Sequence, residues 1–359
     1  MLIKSFINQK MKGLIRMYFG LDKTVVKNIG IKSVDLEHLE KLMKDQEIKF
    51  IRSKINVNNH VEYLQIIDEH FGILTSGYKI NSGKFVPYMF ISINKPRIES
   101  NNLVPQSVET FRSVYLKGLQ DYIRKAYRLE LDFSGVKFET MEINCTFALD
   151  EEYSKYKAVF EAMMDNAPKT YKYRQIACEH GKKEDGTHYI ENNSIKCKIY
   201  NKQVELEAQG NNYNMSDKMC RIEYTLKDSK KIEAVFGTSK VDDITSEQIR
   251  QFFLSQFEKD FVKPMEKALK QQKKQMVELL KEKQGISKQY INKVAVELAV
   301  ARQFFDVELY AEAIKKVDKK NGRRTVANFK KELKIADVEN NIARLEEVKE
   351  KVFKIKELA

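Results

Sequence analysis

The stretch "KFETMEINCTFAL" (137–149) decides how this chain is read, because its apolar residues fall at every second position. Met141, Ile143, Cys145 and Phe147 point one way, and Glu142, Asn144 and Thr146 the other. That is the period of a strand lying half-buried in a sheet. On its N-terminal side, "QSVETFRSVYLKGLQDYIRKAYRL" (106–129) spaces Val108, Phe111, Val114, Tyr115 and Leu119 by three to four residues. This predicts a helix laid across that sheet. Earlier still, "IKFIRSKINV" (48–57), "HFGILTSGYKI" (70–80) and "KFVPYMFISINK" (84–95) are β-like, with a glycine-containing turn at Asn81–Gly83.

Beyond 149 a second helix is expected over about 150–165, ending near Pro168. Three strand-like runs follow: "YKYRQIAC" (171–178), "IKCKIYNK" (195–202) and "KMCRIEYTLK" (218–227). The order β-β-α-β-α-β-β-β predicts an α+β domain with a mainly antiparallel sheet covered on one side by helices. Residues 1–30, with Lys4, Lys10, Lys12, Arg16, Lys23 and Lys27 against Asp22, read as a basic leader to it. From about residue 243 the pattern is helical throughout. Thr245 and Gln248 have capping-box spacing, Ile249, Phe253 and Phe257 form an apolar stripe, Pro264 should break or kink that helix, and Asn321–Gly322 marks a turn. The expected division is 1–240, an α+β domain with its basic leader, and 241–359, an all-α domain.

The 359 residues carry a formal net charge of +13, with 42% hydrophobic and 32% charged residues. Such a field favours a polyanion, nucleic acid first and an acidic membrane surface second, although solvated surface lysine alone gives the same balance. No run approaches the ~18 apolar residues of a membrane span. A cytoplasmic protein without membrane association is therefore expected. Cys145, Cys178, Cys197 and Cys220 all lie in strand-like segments and read as buried thiols. A zinc site from Cys178, His180 and His188 lacks ligand-pair spacing. All five histidines read as surface or turn residues.

The alternating strands around 141–147 and 219–226 each carry a carboxylate opposite their apolar residues, with Arg221, Glu223 and Thr225 sharing one face. If "KIYNK" is also a strand, Lys198, Tyr200 and Lys202 share a face, and Glu205 follows in a helix or turn. For any one strand this could be the wet side of a half-exposed sheet.

Three blocks in order, "EINCTFAL" (142–149), "KIYNKQVELE" (198–207) and "CRIEYTLK" (220–227), resemble the gene II-type replication endonucleases of filamentous phages and related rolling-circle plasmid initiators. The family has an R-I-D-type strand, Y-x-K-x-x-E and R-x-E at these places. "YRQIA" with Arg174, "THYIEN" and "FISINKPRIESNN" (90–102) also follow its pattern, and the likeness covers roughly residues 60–260. The resemblance implies an α+β nicking domain in which Tyr200 attacks a DNA phosphodiester, joins the 5′ phosphate and frees a 3′ hydroxyl. A phenol with a reference pKa of about 10 needs a nearby cation or base to attack, and Lys202 is the implied cation. A divalent metal, Mg²⁺ or Mn²⁺, would steady the charge of the transition state, with Glu205 and Glu223 as ligands.

One position departs from the pattern: Asn144 stands where the family strand has an aspartate. Its amide oxygen can coordinate a cation but brings no charge. Glu142 is on the same face but about 7 Å away by strand geometry. There is no H-x-H pair of the kind found in His-paired relaxases. Tyr171, Tyr173 and Tyr224 lack a following K-x-x-E, and Tyr224 falls on the apolar face.

Arg174, Lys198 and Arg221 are expected to contact DNA. So are Lys319, Lys320, Arg323 and Arg324 in a basic segment (315–334) that would otherwise be a solvated helical face. Taken together, the chain reads as a rolling-circle replication initiator that binds duplex and single-stranded origin DNA and works with a host helicase and polymerase. The alternatives are a copy-control protein of the same fold that has lost nicking, which Asn144 favours, and a mobile-element relaxase.

Overall fold

The alternating stretch around Asn144 becomes a long strand inside a seven-stranded sheet. In a computed structural model the described residues are 17–44, 49–54, 62–67, 77–81, 84–88, 91–94, 105–176, 187–208, 218–284, 290–301, 304–335 and 341–357. The strands are β1 (Met17–Lys27), β2 (Gly30–Val34), β3 (Lys49–Lys54), β4 (Glu62–Ile67), β5 (Gly77–Asn81), β6 (Lys84–Tyr88), β7 (Ile91–Asn94), β8 (Leu129–Asp132), β9 (Lys137–Ala148), β10 (Lys172–Ile176), β11 (Thr187–Glu191), β12 (Ile195–Asn201) and β13 (Met219–Leu226). The main sheet runs β10-β11-β12-β13-β9-β1-β7 with every neighbour antiparallel. β2 pairs with β8, β3 with β4 and β5 with β6.

The helices are α1 (Leu36–Lys44), α2 (Lys117–Tyr127), α3 (Lys157–Asn166), α4 (Lys202–Ala208), α5 (Ser229–Phe236), α6 (Ser246–Phe257), α7 (Lys263–Gln284), α8 (Tyr290–Ala301), α9 (Val307–Val317), α10 (Gly322–Ile335) and α11 (Asn341–Phe353). The fold is α+β, an antiparallel sheet with helices packed on one face, followed by a helical C-terminal region.

Two hydrophobic cores organise these elements. The first lies between the apolar face of the sheet, with Met141, Ile143, Cys145, Phe147, Ile199, Ile222 and Tyr224, and the helices over it. Each such side chain taken fully out of water contributes about 1.5–3 kcal/mol. This core also takes in Phe253 and Phe257 of α6, Phe261 and Met265 beyond it, and Leu345, Val348 and Val352 of α11. The second core is smaller and joins Met276, Val277 and Leu280 of α7 to Ala295, Tyr310, Ile314, Val326, Phe329 and Leu333. The last strand ends at Leu226, the packing divides within α7, and α11 returns to the first core.

Several sequence expectations change. The supposed basic leader contains β1, which lies between β9 and β7, so Met17–Lys27 is sheet interior; residues 1–16 are outside the described set. Val114 is exposed although its neighbours on the stripe are buried. The wide π-turn Phe111–Leu116 ahead of α2 shifts the helical register there. Pro264 does not break its helix, because another π-turn at Glu258–Val262 absorbs the change before α7 begins. The Thr245–Gln248 capping box forms on α6 as expected. His188 is buried in β11 and is no surface residue. Cys145, Cys197 and Cys220 are buried free thiols. Cys178, His180 and the Ser82–Gly83 part of the expected turn lie outside the described residues. No helix among the described residues is long and apolar enough to cross a membrane.

Candidate active site

Strand alternation builds the polar face of the sheet. One register row runs across six strands: Arg174 of β10 opposite Tyr189, Tyr189 opposite Lys198, Lys198 opposite Glu223, Glu223 opposite Asn144, and Asn144 opposite Gly20 of β1. In the adjacent row Tyr200 faces Arg221, and Arg221 faces Thr146. Cross-strand partners lie within about 5.5 Å at Cα. The antiparallel pairing thus brings Tyr200, Glu223 and Asn144 together from three separate blocks.

Hydrogen bonds fix their arrangement. The Tyr200 hydroxyl donates to Glu223 Oε2 at 3.3 Å, and Lys198 Nζ donates to Glu223 Oε1 at 2.5 Å. Arg221 is fully enclosed and reaches Thr146 Oγ1 at 2.6 Å and Asp22 Oδ2 at 2.9 Å. Asn144 Nδ2 donates to the same Asp22 oxygen at 3.3 Å. Asp22 comes from a bulge in β1 between Leu21 and Thr24. The preceding Gly20 has φ +151°, and a Cβ there would lie 2.3 Å from the Gln106 carbonyl oxygen, which accepts from the Leu21 N–H. Only glycine permits that crossing.

Lys202 is not on the strand. β12 ends at Asn201, whose side-chain oxygen accepts from the Gln203 N–H at 3.0 Å, and Lys202 opens α4. It is completely buried, donates to Glu205 Oε2 at 2.5 Å and holds its ammonium 5.9 Å from the centre of the Tyr200 ring. Lys202 and Glu205 therefore approach the tyrosine from the helix while Lys198 and Glu223 approach it along the sheet.

The titration behaviour follows from burial with these charges. Burial, with Glu223 beside it, raises the Tyr200 hydroxyl well above an ordinary phenol. Burial would raise Glu223 too, but Lys198, Arg221 and Lys202 outweigh it and hold that carboxyl below its usual range. Burial, then the charge of Glu223, lifts Glu142 to about 8. Asp22 is raised by burial despite Arg221, with Glu223 adding to the rise. Lys202 is pushed down to about 8 by burial, reinforced by Arg221 and opposed by Glu205.

Among the described residues no three His, Cys, Asp or Glu side chains are grouped to hold a metal ion. Glu205 is ion-paired with Lys202, as Glu223 is with Lys198 and Asp22 with Arg221. What the site does offer is Asn144 Oδ1, a buried oxygen with no hydrogen-bond partner, on a side chain flanked by Asp22 and Glu223. An amide oxygen with two carboxylates suits a hard divalent cation.

The expected DNA contacts divide. Arg221 is turned inward to Asp22 and Thr146, and Lys198 to Glu223, so both hold the site together. Arg174 is on β10 at the sheet edge. Lys319 and Lys320 lie in the turn after α9, and Arg323 and Arg324 in the first turn of α10 instead of a loop; all four are exposed. Of the competing tyrosines, Tyr171 and Tyr224 donate to the buried Asp260, each at 3.3 Å, on the helix-covered side. The residue that sequence reading missed is Asp22, whose one signal was being the lone acid in a basic stretch.

No protein-family model and no curated protein matches this chain. Among solved structures, a rolling circle replication initiator protein from Geobacillus stearothermophilus is similar over 68% of this chain and 86% of its own, with a TM-score of 0.37 and 11% identity.

Proposed function

We propose that this chain is a rolling-circle replication initiator that cleaves one DNA strand through Tyr200. The observation that carries the reading is the Tyr200 hydroxyl donating to Glu223 Oε2, between two buried or half-buried lysines, on a face whose residues follow the three-block motif order. In the proposed step Tyr200 Oη bonds to phosphorus and the bond from phosphorus to the 3′ oxygen breaks. The DNA 5′ phosphate is left on the tyrosine, and the 3′ oxygen departs and takes a proton from water to become a hydroxyl. The Tyr200 proton passes to Glu223. Because Glu223 is a weak base and the buried phenol a weak acid, that transfer becomes favourable only as the new P–O bond forms and the oxygen loses its basicity. The Lys202 ammonium offsets the negative charge gathering near the ring. A divalent cation bound by Asn144 Oδ1 with Asp22 and Glu223 would supply positive charge to the phosphate oxygens.

A catalytically silent copy-control protein is the second reading, favoured by the burial of Tyr200, which is 9% exposed. One experiment separates the two. Supercoiled DNA carrying the replicon's own origin is incubated with the protein and Mg²⁺ or Mn²⁺, and a covalent adduct is sought. The expected result is an adduct at Tyr200 that Tyr200→Phe abolishes by a factor of at least ~10³, with duplex binding unchanged. An adduct mapped to another tyrosine, or none with either metal, overturns the nicking assignment.

A further inference from the structure

The second core supports a surface that the nicking chemistry does not use. α9 and α10 are joined by the four residues 318–321, a helix pair held by a tightly bonded turn. Asp318 is nearly enclosed; its Oδ1 accepts from the Asn321 N–H at 3.0 Å and its Oδ2 from the Thr325 hydroxyl at 2.8 Å. At Gly322 the helices cross so closely that a Cβ would sit 3.0 Å from Lys315 Cα. Tyr310 of α9 stacks on Phe329 of α10 with ring centres 6.3 Å apart, and Ala295 of α8 joins the same core. The unit is a four-helix support, α7 to α10, with α10 fixed by its apolar side.

That side consists of Gly322, Val326, Phe329 and Leu333, all buried. At 100° per residue, Arg324 and Lys331 face directly away, with Ala327 and Asn328 to either side of them, and all four are exposed. Arg323, Lys330 and Lys334 flank it on one side, with Lys319 and Lys320 in the turn. Lys330 is tied to Glu308. No acidic side chain among the described residues pairs with Lys319, Lys320, Arg323 or Arg324. Cations in the first turn of a helix are placed against its dipole, a modest cost that a bound anion would reverse. The outward stripe also has base-reading chemistry: a guanidinium that can bind two acceptors of guanine, an amide that can bind adenine, and a small methyl between them. A helix of 14 residues is about 21 Å long and 10–12 Å across, which fits the B-form major groove.

We propose that α9, the 318–321 turn and α10 form a helix-turn-helix reader of duplex DNA. α10 enters the major groove, Arg324 and Asn328 address base edges, and Lys319, Lys320 and Arg323 hold phosphates. This deepens the initiator reading by giving the chain a second, sequence-selecting hold on DNA that does not need Tyr200.

The test uses the full chain to select duplexes from a random 20-base-pair library, then compares the selected duplex with a scrambled one across a salt series. Enrichment of a defined sequence is expected. Arg324→Ala and Asn328→Ala should each reduce the preference for selected over scrambled DNA by roughly 5- to 150-fold, the discrimination that one bidentate pairing to a base supplies. Lys319→Ala with Lys320→Ala should weaken both duplexes alike and make the log affinity–log salt slope shallower by about 0.9 for each phosphate no longer neutralised. Tyr200→Phe should select the same sequence, so failure of the nicking proposal would leave this result standing. No enrichment, or an enriched sequence whose preference survives both Arg324→Ala and Asn328→Ala, overturns the proposal. So does tighter binding to RNA duplex of the same sequence, whose deep, narrow major groove excludes a helix.

Discussion

Arg221 and Arg324 are the same side chain in opposite circumstances. Arg221, on the polar face of the sheet, is 1% exposed and committed to Asp22 and Thr146; Arg324, on the outer stripe of α10, is exposed. Taking a charge out of water costs several kcal/mol, so the candidate site keeps Arg221 and Lys198 on the sheet and Lys202 on α4 by giving each an acidic partner. α10 buries only its apolar side on folding, and Arg323 and Arg324 stay in water. Under the proposals above, the first region would use charge to shape a reaction site, and the second to attract a polyanion.

The comparison breaks most readily on stability. Arg221→Met strands Asp22 as a buried carboxylate, and a broken buried pair costs about 3–5 kcal/mol. Arg324→Met should stay within about 0.5 kcal/mol of the parent. Urea unfolding of both variants measures the contrast, and equal losses would erase it. Adding Asp22→Asn to Arg221→Met should recover part of the loss, because the stranded charge is then gone.

Where the chain obeyed period two, the site was legible. The alternation in 141–147 and 219–226 placed Asn144 and Glu223 on one face, and antiparallel pairing made them neighbours. Lys202 escaped that logic because Asn201 ends the strand and caps a helix, a local signal present in "YNKQ" but subordinate to the alternation before it. Asp22 was illegible for a different reason. Its role depends on β1 pairing with β9 more than 110 residues away and on a bulge beside Gly20, and neither leaves a mark within "MYFGLDKTVVK" beyond the glycine itself. Val114 was misjudged because a π-turn resets the helical phase without any composition that announces it, while at Pro264 the helix continues past a second π-turn in place of a break. The capping box and the Asn321–Gly322 turn were readable because capping is decided within four residues.

A second contrast sharpens the picture of the polar face through pH. Glu142 titrates near 8 in the folded protein, against 4.5 ordinarily, because burial and Glu223 oppose its charge. The folded state therefore holds a proton that the unfolded chain has released. Stability from this group is complete below pH 4.5 and is lost as pH rises toward 8, with a slope of at most about 1.4 kcal/mol per pH unit for one proton. Glu142→Gln should remove that loss. The variant is expected to match the parent near pH 4.5 and to exceed it at pH 8 in urea midpoint. A constant difference across the range would mean that Glu142 is solvated and that the polar face is wetter than drawn.

The smallest effect concerns the other side of the same sheet, where one buried polar group has no partner at all among the described residues. Both ring nitrogens of His188 are enclosed without a hydrogen bond, and the imidazole packs against Phe160 with ring centres 6.0 Å apart. Burial, helped by the charge of Lys157, lowers its pKa to about 4 from 6.5. Here the sign is the reverse of Glu142. Between pH 6.5 and 4 the unfolded chain binds a proton that the folded protein refuses, so stability is present above 6.5 and drains away as pH falls. His188→Phe keeps the aromatic packing and removes the proton site, so its unfolding free energy should change less than the parent's over that window. Subtracting the two curves isolates one group's titration from the carboxylates they share. If the difference is flat from pH 6.5 to 4, His188 is protonated in the folded protein, and the helix-covered face tolerates a charge there as the polar face does.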